Sequence, residues 1–116
     1  MRMSEIRHYS ELEKHMTDLQ NQISSLDDRM SRSTYGGIRT IFEKKIAELE
    51  RLLEGVIGNM LTIDSLIIGM PDPVDRDILE MYKCGESIEY IAECIGYSSR
   101  TVSRHLRRIQ EAIADI

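Results

Sequence analysis

Tryptophan is absent, phenylalanine occurs once and proline only twice among 116 residues. Without bulky aromatics, any core must be built from Leu, Ile, Val and Met. With so little proline, long helices meet few interruptions. Cysteine occurs only at Cys84 and Cys94, with no zinc-like spacing to any histidine. Two thiols exclude a disulfide-dense secreted scaffold and fit a reducing cytoplasm; they read as small buried side chains. The apolar run "SLIIGM" is too short to span a bilayer, and "MRMSEIRHYSELEK" at the N-terminus lacks the apolar stretch of a secretory signal. A phosphate-cradling glycine loop, a metal cluster and a nucleophile–base pair are all missing, so the expectation is a non-enzymatic protein without cofactor or metal.

What is present is charge, unevenly placed. The formal net charge is −5, with 30% charged and 41% hydrophobic residues. Residues 1–70 carry nine basic and eleven acidic side chains, residues 71–97 two and seven, and residues 98–116 four and two. The balances are therefore −2, −5 and +2. An acidic chain does not bind polyanions indiscriminately, so any contact with nucleic acid has to be local and oriented.

From Tyr9 to Met30 the apolar residues Tyr9, Leu12, Met16, Leu19, Ile23, Leu26 and Met30 alternate steps of three and four. This heptad spacing predicts a helix over residues 4–32, ~42 Å long at 1.5 Å per residue. The pattern stops at "SRSTYGG", residues 31–37, whose composition is that of a loop. It resumes with Phe42, Ile46, Leu49, Leu53, Val56, Met60, Ile63 and Ile67, predicting a second helix over 38–68. Ile41, Leu52, Ile57, Leu61, Leu66 and Ile68 widen its apolar face. Two long helices joined by a glycine-containing loop fold back as an antiparallel hairpin. One hairpin leaves apolar surface wet, at ~1.5–3 kcal/mol for each large aliphatic side chain. A homodimer through Leu12, Met16, Leu19, Ile23, Leu26, Leu49, Leu53, Val56 and Met60 is therefore expected. His8 and His15 share one face with no ligand cluster nearby and read as solvated.

Gly69, Pro71 and Pro73 mark a boundary, dividing a 1–70 helical oligomerisation region from a 71–116 domain. Asp72, Ser87 and Ser98 are N-cap candidates for helices over 73–84, 88–95 and 99–114. Ala92 followed by Gly96 suits the crossing and sharp turn of a helix-turn-helix, with Ile88, Ile91, Ile95, Val102 and Leu106 in the buried places. On the last helix Val102, Leu106, Ile109 and Ile113 form one stripe. Arg100, Arg104 and Arg107 lie about 140° to 200° from Val102 around the axis, on the opposite side, with Arg108 and Ser103 flanking them. No acid occurs from Ser98 to Gln110. A helix that reads a major groove needs its cations and hydroxyls on that outer face. Ser98, Ser99, Arg100, Ser103, Arg104, Arg107 and Arg108 are the candidates to reach double-stranded DNA. His105, beside the stripe, reads as a packing or phosphate-contacting residue and Tyr97 as a packing residue.

The segment "DPVDRDILEMYKCGESIEYIAECIGYSSRTVSRHLRRIQEAI" resembles region four of bacterial sigma factors, and "SSRTVSRHL" also resembles the LuxR-type output domain. The likeness is greatest to small phage and prophage regulators of the ArpU/RinA kind, over residues 71–113; over residues 1–70 it rests on architecture. What the resemblance implies is a phage or prophage transcription regulator in the cytoplasm of a bacterial host, with host RNA polymerase as a further candidate partner. Asp75, Asp77, Glu80, Glu86, Glu89 and Glu93 would form the acidic surface meeting a basic polymerase. Two other expectations stand beside it: a small terminase-type DNA-packaging subunit, and a helical protein-interaction module.

Overall fold

A computed structural model describes all residues, Met1–Ile116. Six α-helices follow one another: α1 Met3–Arg7, α2 Tyr9–Ser31, α3 Gly36–Ile68, α4 Pro73–Lys83, α5 Ile88–Ile95 and α6 Ser99–Ile113. The chain is all-α, as expected, and no helix is long and apolar enough to cross a membrane.

Three local expectations need correction. The first long helix is broken at His8, where φ is −91° and ψ 15°. The His8 Nδ1–H donates to the Ser4 carbonyl at 2.6 Å, and the His8 backbone N–H reaches the same oxygen at 3.2 Å. No glycine or proline marks this break, so periodicity alone could not find it. Gly36 and Gly37, assigned to the loop, instead open α3; neither has a positive φ. The reversal occurs over Arg32–Tyr35, where the Ser33 hydroxyl accepts the Tyr35 N–H at 3.3 Å. Cys84 and Cys94 are both exposed rather than buried. Cys84 follows the last residue of α4, and Cys94 lies in the last turn of α5, exposed although Ile91 three residues before it is buried.

The chain gathers into two compact units, one of residues Leu12–Leu61 and one of Met1–Glu11 together with Thr62–Ile116. In the first, Leu19, Leu49 and Val56 are buried, with Leu12, Met16, Ile23, Leu26, Leu53 and Met60 packed against them. These nine residues are the set read as a dimer face, and within one chain they meet each other. The Arg29 guanidinium lies 5.6 Å from the Phe42 ring centre, joining the end of α2 to the start of α3. Only three of the nine are fully buried, so this core is thin. Ile38, Ile41, Leu52 and Leu61 remain exposed on α3.

The second unit has the larger core. Ile78, Ile91, Ala92, Val102 and Leu106 pack together, joined by Met3, Val74, Met81, Tyr82, Ile88 and Ile95. The N-terminal residues are tied to α4 by polar contacts as well. Arg7 Nη2 donates to the Gly85 carbonyl at 3.3 Å, and its guanidinium lies 4.9 Å from the Tyr82 ring centre. Lys83 Nζ reaches Asp64 at 3.3 Å and Glu80 at 3.0 Å, 4.6 Å from the Tyr9 ring centre. The Tyr9 hydroxyl donates to the other Asp64 oxygen at 2.7 Å. Burial acts to lower the Lys83 ammonium, but hydrogen bonds and charge from Glu80 and Asp64 outweigh it, and its pKa is raised.

Candidate nucleic-acid interface

Helices α4, α5 and α6 each begin on the cap the sequence offers. Asp72 accepts the Val74 N–H at 2.9 Å with Pro73 in the first turn, Ser87 accepts the Tyr90 N–H at 3.1 Å, and Ser98 accepts the Thr101 N–H at 3.2 Å. Each cap satisfies an amide that the first turn would otherwise leave without a partner. Between α5 and α6 the chain turns within Gly96–Ser98. Gly96 takes φ +81°, and both its N–H and that of Tyr97 donate to the Ala92 carbonyl at 2.9 Å. A side chain at that φ would press on the following carbonyl, so glycine is the residue the turn requires.

Helix α6 divides cleanly. Val102, Leu106, Ile109 and Ile113 are buried, while Ser98, Ser99, Arg100, Ser103, Arg104 and Arg107 are exposed. Arg100, Arg104 and Arg107 form no ion pair with a carboxylate; Arg104 Nη2 only approaches the Thr101 hydroxyl at 3.4 Å. Their charge is therefore uncompensated at short range. Ser98 is engaged as the cap, its hydroxyl also 2.9 Å from that of Thr101.

Arg108 differs from its neighbours. Its Nη2 reaches Asp72 Oδ2 at 3.1 Å and both oxygens of Asp75 at 2.9 Å. Asp75 is 6% exposed and also accepts the His105 Nδ1–H at 2.7 Å. Nδ1 must carry the proton here, because the acceptor is a carboxylate. Asp75 thus leaves the set expected to form an acidic surface: it lies inward, and Asp77, Glu80, Glu89 and Glu93 stay exposed. The Val74 N–H, and after it the Arg108 charge working against desolvation, hold the Asp72 carboxyl below its ordinary pKa. Asp75 hydrogen-bonds and attracts Arg108 most strongly and raises its pKa.

This cluster went unread in the sequence. Its signal was two pairs spaced by three, Asp72 with Asp75 at the start of α4 and His105 with Arg108 on α6, thirty or more residues apart. Donor atoms of Asp72, Asp75 and His105 lie within 4.8 Å of one another, the arrangement of a cation site. The Arg108 guanidinium bonds both carboxylates and supplies the countercharge within the chain. Tyr97, expected to pack, is 41% exposed, with its ring tilted beside His105 at 6.0 Å between centres. No protein-family model, no curated protein and no solved structure matches this chain.

Proposed function

We propose that the protein is a non-enzymatic, sequence-specific DNA-binding transcription regulator of phage or prophage type, acting as a dimer in a bacterial cytoplasm. In this reading α5, the Gly96 turn and α6 are a helix-turn-helix, and α2 and α3 an antiparallel helical hairpin that brings two such units together. The observation that carries it is the exposed, unpaired trio Arg100, Arg104 and Arg107, opposite the buried stripe of α6. A merely solvated helix face usually mixes both signs of charge. Here the face carries arginine and serine over its first turns, the side chains that bridge guanine and bond phosphates in a major groove, and an acid, Glu111, enters it only in the last turn.

Arg108 makes no direct reader in this scheme, because Asp72 and Asp75 hold it. Three arginines per subunit then neutralise phosphates or bridge bases, and two subunits bring the count to about six. Binding should weaken with a log–log salt slope of about −5. Two subunits would read half-sites ~34 Å apart or a multiple of that. Selection of bound fragments from random duplex DNA at about 50 and 200 mM salt tests the assignment, because electrostatic binding fades over that range while base readout persists. A recurring motif at the higher salt supports it; no enrichment at either salt sinks it.

The exposed acids Asp77, Glu80, Glu89 and Glu93 favour one addition. A face of that charge is repelled by phosphate and suits a basic protein surface, with RNA polymerase the proposed partner.

A further inference from the structure

Helix α3 carries a second repeat beside the one that builds the hairpin. Leu49, Leu53, Val56 and Met60 pack inside the hairpin. One position before each of them stand Glu48, Leu52, Gly55 and Asn59, and Ile41 and Lys45 continue the run toward the start of α3. All six are exposed, Ile41 by 68% and Leu52 by 55%. Their steps of four and three hold one stripe for about five turns. That period lets a second helix stay in contact along the whole stripe.

The stripe holds both a projection and a gap. Leu52 stands out from it, and Gly55, three residues on, has no side chain; nothing lies within 4 Å of where its Cβ would be. Glycine inside a helix weakens it relative to alanine, and φ at Gly55 is not positive, so the backbone does not require glycine there. A leucine from a facing helix fits such a gap as a knob fits a hole.

Charge decides the direction of that helix. A parallel copy would set Lys45 against Lys45, Glu48 against Glu48 and Gly55 against Gly55, placing like charges together and leaving the gap empty. An antiparallel copy, with its two-fold axis between residues 53 and 54, sets Leu52 over the partner's Gly55 and Glu48 beside the partner's Asn59. Symmetry makes each contact twice. Lys45 and Glu48 pair at 3.7 Å within the chain, so the stripe brings no net charge to the contact.

We propose that a second copy of this chain covers the stripe, α3 against α3 in antiparallel register, with Leu52 seated over the partner's Gly55. This rests on the dimeric part of the reading above, specifies its face and register, and does not depend on DNA.

Sedimentation of the full chain tests it, beside Gly55→Leu, the exchange of Leu52→Gly with Gly55→Leu, and Leu61→Glu. Gly55→Leu fills the gap without meeting anything in its own chain. Its helicity should hold while the dimer Kd rises about tenfold or more. The exchange moves projection and gap into each other's places and should restore the dimer. Leu61 is 60% exposed and lies about 180° from Leu52 around the axis, so Leu61→Glu should leave the dimer whole. Register is read by disulfides in a Cys84→Ser, Cys94→Ser background. Glu48→Cys mixed with Asn59→Cys should cross-link faster than either variant alone; faster linkage of Glu48→Cys to itself overturns the antiparallel register. Should Gly55→Leu lose helicity by circular dichroism, the mixed disulfide decides. A dimer that survives Gly55→Leu overturns the proposal and leaves the dimeric reading standing through another face. A single chain at every concentration sinks the dimeric reading and the proposal with it, while the DNA selection is unaffected.

Discussion

Asp75 shows how much a single side chain depends on its partners. A carboxyl group 6% exposed is costly to bury, and hydrogen bonds from His105 and Arg108 offset that cost. Asp75→Ala should cost about 2 kcal/mol in urea denaturation, because it leaves the half-buried His105 Nδ1–H without its acceptor. Two other groups give stability a pH dependence at opposite ends. Asp72 has a folded pKa below its ordinary 3.8, so its contribution is complete above that value and disappears as pH falls through the folded one. Lys83 has a folded pKa above its ordinary 10.5, so its contribution is complete below 10.5 and disappears as pH rises through the folded one. Thermal melts above that ordinary value should show a decline in Tm that Lys83→Met lacks, the Met variant being less stable at neutral pH. Asp72 was legible as a cap from its place before Pro73. Asp75 was not legible as buried, because its partners lie at positions 105 and 108 and no local pattern links them.

At the scale of elements, period and caps located most of the helices. The heptad run of α2 and α3, and Asp72, Ser87 and Ser98 before α4, α5 and α6, are local signals, and the helices lie near where those signals place them except at His8 and at the start of α3. Ser98→Ala should cost about 1 kcal/mol, and Gly96→Ala a further ~1–2 kcal/mol because φ there is +81°; urea midpoints measure both. Leu19→Ala should cost about 3 kcal/mol by the same measure, near the low end for a core leucine since the surrounding core is thin. The break at His8 was not legible. It comes from a side chain competing for the Ser4 carbonyl, which any histidine could do and few do. The helical start at Gly36 was missed for the opposite reason: paired glycine is common in turns, yet here both residues take ordinary negative φ.

For the whole molecule the open matter is what covers α3. Ile41 is 68% and Leu52 55% exposed, while the nine residues expected at a dimer face are packed within the chain. Sedimentation should give about twice the 13.4 kDa of one chain. Leu52→Glu should return it to a single chain with helicity intact if the exposed side of α3 is the interface. If two chains instead exchange the packing of α2 and α3, Leu52→Glu will leave the dimer whole and Leu19→Glu will abolish both dimer and fold. Cys84 and Cys94 are exposed, so both thiols should react with a maleimide in native protein as fast as in urea; protection of either would place it in an interface.

The helical class, the caps, the glycine turn and the outward arginines of α6 were determined by sequence alone, because each depends on residues within about one or two turns of each other. Tertiary structure decided what depends on long separation: that residues 1–11 join the unit holding the C-terminal helices, that Asp75 is buried, and that Arg108 is held by Asp72 and Asp75 while Arg100, Arg104 and Arg107 are not. Four arginines are alike in sequence and on one helix. Their difference arises only when α4 brings two carboxylates beside one of them, and a chain read in order carries no record of which distant segment that will be.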